Sequence, residues 1–157
     1  MTTHSNSLEI SRLIPASRPE VFAAWTVHDR MNWYCPEDMI LVSASADVRV
    51  GGSFRASMQG GDGAVHTYYE TYLKIAPTKR LVFTHQWEGE SAGPTETRVT
   101  VELADQDGGT MVTLKQEGFE DPQAAKDHEV GWASTLRNLE NEFVGSVSEQ
   151  SRARELG

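Results

Sequence analysis

The sequence predicts an α+β fold: a seven-stranded curved antiparallel sheet wrapped around a long C-terminal helix, with two short helices between strands 1 and 2. Three observations predict it. Residues 121–144 hold no proline after Pro122 and carry apolar side chains at helical spacing. Residues 39–117 are cut at short intervals by turns rich in Gly, Pro and Asp, which separate runs of Val, Thr, Tyr, Phe and Ile. Connections this short force neighbouring strands to run antiparallel. A sheet with one apolar face and a helix with one apolar stripe bury each other, which gives two layers.

In chain order, residues 8–14 alternate apolar and polar ahead of Pro15 and read as the opening strand. Ser17 with Glu20 three residues on is a capping box, and Val21, Phe22 and Trp25 supply the apolar face of the helix it opens. A second turn or short helix is expected over residues 30–34, carrying Trp33 and ending before Pro36. Six strands follow: residues 40–49, 53–58, 65–75, 80–87, 95–103 and 110–117. Alternation puts Phe54, Ala56 and Met58 on one face, as it does Leu81, Phe83, His85 and Trp87, then Thr97, Val99, Val101 and Leu103, then Val112, Leu114 and Gln116. The other face carries Arg55, Arg98, Glu102 and Lys115 and reads as solvated. In residues 65–75 both parities hold tyrosine, Tyr68 and Tyr72 against Tyr69, so the inner face there depends on whether the strand is bulged.

The final helix opens at Asp121-Pro122, an N-cap followed by proline at the first helical position. It reaches about Val144, on the order of 34 Å at 1.5 Å per residue. Ala125, His128, Trp132, Leu136, Leu139 and Phe143 form its stripe, while Lys126, Glu129, Arg137, Asn138 and Asn141 face elsewhere. Gly131 in mid-helix costs roughly 1 kcal/mol against Ala, so a close approach to the backbone is expected there. A strongly twisted sheet is wider than one helix, and a leftover cavity between them follows.

The chain has 157 residues and a formal net charge of −9, with its 14 basic residues scattered. It reads as one domain over residues 1–145 with a flexible polar tail at 146–157. This balance disfavours nucleic acid and anionic membrane as partners. Cys35 is the single cysteine, no charged-then-apolar leader stands at residues 1–8, and no apolar run approaches the roughly 18 residues of a membrane span. A cytoplasmic setting is the expectation. A homodimer is compatible with the sequence.

Several motifs fit together. Ile14-Pro15-Ala16, Val21-Phe22, Trp25-Thr26 and Trp33 precede Asp47-Val48-Arg49-Val50-Gly51-Gly52-Ser53-Phe54-Arg55. Arg80-Leu81-Val82-Phe83-Thr84 with Trp87, residues 99–103, Gly109-Thr110, and His128-x-x-Gly131-Trp132 with Leu136 and Leu139 complete the series. In this order, over about residues 8–143, the pattern resembles proteins similar to the activator of the heat-shock-protein-90 ATPase, a branch of the START-like (SRPBCC, helix-grip) superfamily. His85 departs from it, since many members carry an aromatic directly after the Thr, and this leaves the polarity of the pocket open. The resemblance implies a deep hydrophobic cavity between sheet and long helix. Superfamily members bind lipids, polyketides or other apolar molecules there, and a few cyclise or hydrolyse them. The eukaryotic namesake uses its domain surface as a chaperone contact, which implies a stress-response setting.

Chemistry is sparse in the residues themselves. His4, His28, His66, His85 and His128 form no i, i+4 pair and Cys35 has no partner thiol, so no metal site and no cofactor are expected. Cys35 beside Trp33-Tyr34 reads as a buried thiol more than as a nucleophile paired with His128 or His85. Neither Gly51-Gly52 nor Gly60-Gly61-Asp62-Gly63 precedes a helix, so both read as hairpin turns and not phosphate cradles. Asp47 and Arg49 share a strand face and read as a structural ion pair. The candidate ligand-binding residues are Trp25, Trp33, Phe54, Met58, Phe83, His85, Trp87, His128, Trp132 and Leu136. Phe83 and Leu136 read as core. Four tryptophans and two histidines are more than a compact core of this size needs.

Three functions follow as expectations. The first is binding of a small hydrophobic or aromatic molecule in the cavity. The second is a polyketide cyclase- or hydrolase-like activity, with His128 and His85 facing each other as general acid and base, although no orienting carboxylate is identifiable. The third is a chaperone-regulator interaction domain, a partner the residues themselves do not support.

Overall fold

The computed structural model describes residues 6–27, 30–88 and 96–156, with side chains described through Val144. Seven strands and two helices follow one another as β1 (Ser7–Ile14), α1 (Arg18–Thr26), β2 (Ile40–Ala46), β3 (Ser53–Gln59), β4 (Val65–Ala76), β5 (Arg80–Trp87), β6 (Thr97–Gln106), β7 (Gly109–Glu117) and α2 (Pro122–Leu156). The strands form one antiparallel sheet in the order β1-β7-β6-β5-β4-β3-β2. Every neighbour but one is a hairpin partner. The exception is β1, which pairs with β7 and brings the start of the chain beside the strand that leads into α2.

The expected alternation holds across the sheet. Phe54, Ala56 and Met58, Leu81 and Phe83, Val99 and Val101, and Val112 and Leu114 are buried on the face turned to α2. Arg55, Arg98, Glu102 and Lys115 are exposed on the other face, where Arg55 makes a two-pronged contact with Glu88 at 2.7 and 3.1 Å. The ambiguity in β4 resolves through a register shift between Tyr72 and Lys74. Tyr68, Glu70 and Tyr72 point inward, and Leu73 and Lys74 both point outward where the shift breaks the alternation. The inner face of β4 therefore carries a carboxylic acid.

Local chemistry explains the helix starts. Ser17 has extended backbone angles and accepts from the Glu20 amide through its hydroxyl at 3.4 Å. Asp121 caps α2, its carboxylate accepting from the Ala124 amide at 2.8 Å. The stripe of α2 is buried as expected at Ala125, Trp132, Leu136, Leu139 and Phe143.

Three expectations are corrected. One helix, not two, lies between β1 and β2 among the described residues. Residues 30–39 form turns instead, with the Tyr34 amide donating to the Met31 carbonyl and the Met39 amide to the Pro36 carbonyl. Trp33, Tyr34 and Cys35 are consecutive and all buried, whereas a helix covered on one face turns successive side chains about 100° apart and exposes one of every three. Strand β2 ends at Ala46, because Asp47 to Gly52 close a turn in which the Gly52 amide reaches the Arg49 carbonyl. A Cβ on Gly52 would lie 2.0 Å from the Asp47 carbonyl oxygen, so the turn admits only glycine. Finally, α2 does not stop near Val144 but continues to Leu156, since the sequence beyond offers no proline and several strong helix formers. The expected turn at residues 89–94 lies outside the described residues.

The helix is fastened to the sheet by a buried polar chain as well as by apolar packing. Trp132 Nε1 donates to Gln116 Oε1 at 2.7 Å, Gln116 Nε2 donates to Thr97 Oγ1 at 2.7 Å, and Thr97 Oγ1 donates to the His85 carbonyl at 3.1 Å. This chain fixes the rotation of α2 above β5, β6 and β7. Replacing Leu136, fully buried at 0 % exposure, by Ala is expected to lower unfolding free energy by about 2–5 kcal/mol, against about 1 kcal/mol for Asp121→Ala. Urea denaturation followed by tryptophan fluorescence measures both, and a Leu136→Ala loss no larger than the cap loss contradicts the seating of α2 on the sheet.

Candidate functional site

The site lies between the first half of α2 and the inner face of β3, β4 and β5, beside the turn segment 34–39. Parity brings Met58, Tyr68, His85 and Trp87 to the same patch of the sheet, and helical spacing brings His128, Gly131, Trp132 and Thr135 opposite it. With Tyr34, Cys35, Pro36, Met39 and Asp127 they line a cleft of about 290 Å³ open to solvent on one side. Its walls are mostly aromatic and aliphatic. The Tyr68 ring stands 5.0 Å from His85 and 5.3 Å from Trp87, so one side of the cleft is a continuous aromatic surface.

Behind that surface sits Glu70, 1 % exposed. A buried carboxylic acid requires partners, and it has two. Tyr34 donates its hydroxyl to both oxygens, at 2.9 and 3.1 Å, and His85 Nδ1 lies 2.8 Å from Oε2. Burial pushes the Glu70 carboxyl upward from its ordinary value, opposed by its hydrogen bond and charge interaction with His85 and by the Tyr34 hydroxyl. The Tyr34 hydroxyl is held well above its usual range, first by burial and then by Glu70, so it remains a neutral donor. The edge of the His85 ring not used by Glu70 carries Nε2, which has no hydrogen-bond partner among the described residues.

His128 is differently placed. The Trp87 indole N–H, which only donates, points at His128 Nε2 from 3.1 Å, so Nε2 presents a lone pair. The ring proton therefore sits on Nδ1, 2.8 Å from the Ala124 carbonyl it donates to. Both nitrogens are occupied in the neutral form. Burial, joined by nearby His85, lowers the His128 pKa against the opposing effects of the Ala124 carbonyl and Asp127. The two imidazoles do face each other, with centroids 6.1 Å apart at 87°, as the sequence suggested. Only His85 keeps a nitrogen available for a ligand. His128 instead holds Trp87 in place.

Of the residues anticipated from sequence, Met58, His85, Trp87, His128 and Trp132 line the cleft. Trp25, Trp33, Phe54, Phe83 and Leu136 are buried and do not line it. Trp25, Trp33, Tyr34 and Phe54 interlock edge to face, with centroids 4.8 Å apart for Trp25 and Trp33 and 5.4 Å for Tyr34 and Phe54, and fill the space beneath α1. Trp33 Nε1 donates to the Ala24 carbonyl at 3.0 Å, which ties the turn segment to that helix. Trp25 Nε1 is buried without a hydrogen-bond partner among the described residues. Glu70, Tyr34, Tyr68, Cys35, Pro36, Met39 and Thr135 were not foreseen; the signal for Glu70 was its shared parity with Tyr68 and Tyr72.

The close approach expected at Gly131 is absent among the described residues. A Cβ there would meet only Pro36 Cγ, at 4.0 Å, and the backbone opens onto the cleft. Cys35 Sγ lies 3.6 Å from the Met39 carbonyl, and burial raises its thiol pKa, so it behaves as a lining group. Asp47 and Arg49 form the expected exposed pair at 2.8 Å, away from the cleft. Among the described residues no three His, Cys, Asp or Glu side chains group as metal ligands, and no helix is long and apolar enough to cross a membrane. His4 and His28 lie outside the described residues.

Residues 15–143 match the sequence profile of the family described as "Activator of Hsp90 ATPase homolog 1-like protein". No curated protein matches. Among solved structures, a protein of Chromobacterium violaceum superposes with a TM-score of 0.80 at 24 % identity, covering 87 % of this chain and 96 % of its own. The AHSA1 protein of Silicibacter pomeroyi gives 0.78 at 21 % identity, covering 89 % and 99 %. A protein of Rhizobium leguminosarum gives 0.70 at 25 % identity, covering 85 % and 91 %.

A histidine whose pKa is lowered by folding binds protons more readily in the unfolded chain, so unfolding gains as pH falls below the ordinary value of 6.5. The stability that neutral His128 contributes is complete above that value and is lost on acidification. The raised Glu70 carboxyl acts in the opposite sense, its stabilisation being lost as pH rises above 4.5, and it is common to wild type and variant. The melting temperature of wild type is therefore expected to fall more steeply than that of His128→Gln between about pH 7 and pH 5. Parallel profiles contradict the neutral, doubly bonded imidazole.

Proposed function

The chain belongs to the Activator of Hsp90 ATPase homolog 1-like family, and from that premise we propose that it binds a small hydrophobic or aromatic molecule in the cleft between sheet and α2. The fold of this family is generally a ligand-binding fold. The observation that carries the reading is the cleft itself: about 290 Å³ of mostly apolar surface, walled by Tyr68, Trp87 and Trp132, with a single imidazole nitrogen set into it. Specific small-molecule sites have this composition, a large apolar area that supplies affinity and few polar groups that supply orientation. The volume lies near the lower end of the usual range of about 300–1,000 Å³, which suits a bicyclic aromatic better than a long acyl chain.

One observation favours a second reading, proton-transfer catalysis on a bound ligand. The carboxylate absent from the sequence reading is supplied by Glu70, and a carboxylate that orients an imidazole whose far nitrogen faces a cleft is a general acid–base arrangement. Of the two histidines named for such a role, the geometry supports His85. His128 would act as a positioning residue through Trp87.

Titration with 2-ethylnaphthalene, followed by ¹H–¹⁵N NMR of the indole groups, is expected to shift the Trp87 and Trp132 N–H signals and leave those of Trp25 and Trp33 nearly unmoved. Gly131→Leu fills the cleft from the helix side while removing a helix-breaking residue. It should weaken binding about tenfold or more while holding or raising the melting temperature. Absence of any indole shift up to the solubility limit overturns the binding reading.

A further inference from the structure

We propose that the cleft selects an aromatic ligand carrying a hydrogen-bond acceptor oxygen, a carbonyl in the first instance, which accepts from the N–H of His85 Nε2. The inference rests on the binding reading above and deepens it by naming the polar group the ligand must carry.

The argument is one of proton bookkeeping around Glu70. The Glu70 and His85 side chains are nearly inaccessible, the pair being 1 % and 7 % exposed, and the groups around them are the rings of Tyr34, Tyr68 and Trp87. Such surroundings favour a pair with no net charge over a lone carboxylate. With Tyr34 donating to both Glu70 oxygens, two arrangements are net neutral. In the first, Glu70 is ionised and His85 is an imidazolium with hydrogen on both nitrogens. In the second, Glu70 holds the proton and gives it in a hydrogen bond to His85 Nδ1, so the neutral ring carries its hydrogen on Nε2. The two differ only in which side of the 2.8 Å contact the proton occupies. Either way Nε2 bears a hydrogen.

The remaining partner agrees. Tyr34 bridges both oxygens of Glu70 as a donor, so the proton shared with His85 is the only one left to place. Of the other titratable groups that line the cleft, His128 has its lone pair taken by Trp87, the Tyr68 hydroxyl donates to the Tyr34 carbonyl at 3.3 Å, the Cys35 thiol donates to the Met39 carbonyl at 3.6 Å, and Asp127 accepts from Gln123 at 3.0 Å. None of them makes a hydrogen bond to His85 Nε2. The cleft therefore offers a donor at one fixed point of an apolar wall. A ligand without an acceptor leaves that donor desolvated and unpaired, which is a stronger basis for rejection than any loss of contact area.

The test compares 2-acetylnaphthalene, 2-ethylnaphthalene and 2-naphthol, three probes of nearly one shape, by calorimetry on the full chain. Wild type is expected to bind the ketone about tenfold more tightly than the hydrocarbon, and the ketone's carbonyl stretch in difference infrared spectra should move to lower wavenumber on binding. The preference should vanish in His85→Phe, read as the ratio of ketone to hydrocarbon affinity within that variant. Since that variant leaves Glu70 without its partner, the double variant Glu70→Met with His85→Phe removes both polar groups together, and the spectroscopic shift in wild type needs no variant. If ketone and hydrocarbon bind wild type equally, or the naphthol binds best, the donor assignment is overturned while the cleft remains a binding site. If none of the three binds, the binding reading fails and takes this inference with it.

Discussion

A seven-stranded sheet is wider than any one helix that can cover it, and this mismatch governs the whole structure. At about 4.8 Å between strands the sheet spans roughly 29 Å, while a helix with its side chains is about 10–12 Å across. The uncovered part of the concave face must be filled by something else. Toward α1 it is filled by the interlocked rings of Trp25, Trp33, Tyr34 and Phe54. Toward β3, β4 and β5 it is left as the cleft. The Trp132–Gln116–Thr97 chain then sets where the helix sits, and so how wide the cleft is.

Placing a carboxylic acid in this interior is costly, and the local structure is shaped by the need to offset it. The turn segment 30–39 brings Tyr34 inward to reach both oxygens of Glu70, and the parity of β5 delivers His85 to the same atom group. Removing either donor strands the acid, whereas removing acid and imidazole together leaves an apolar wall. In this sense Tyr34, Glu70 and His85 are one unit contributed by three separate segments. Its uncompensated atom, His85 Nε2, is the open hydrogen-bonding position it presents at the cleft.

Much of this was legible in the sequence, and the reasons are local. Turns rich in Gly and Asp, strand alternation, and the caps at Ser17 and Asp121 are short-range signals, and they located all seven strands, both regular helices and the buried face of most strands. The inner face of β4 was hidden because its tyrosines occupy both parities and the register shift at Tyr72 depends on pairing with β5. Glu70 was hidden with it, since a carboxylate on a strand reads as solvated until its parity is known. Residues 30–34 read equally as a turn or a short helix in sequence, because burial of three consecutive side chains is decided by packing, not propensity. The division of labour between His85 and His128 turns on which nitrogen faces which partner, a matter of ring orientation that residue type does not encode.

A second, smaller hollow of about 50 Å³ lies beyond the cleft near Phe119 and Ala124, and His85, Trp87 and His128 border both spaces. The partition between them is held by the Trp87 to His128 hydrogen bond. A single bond of this kind contributes on the order of 1 kcal/mol net. Whatever disturbs that one contact therefore acts on both hollows at once.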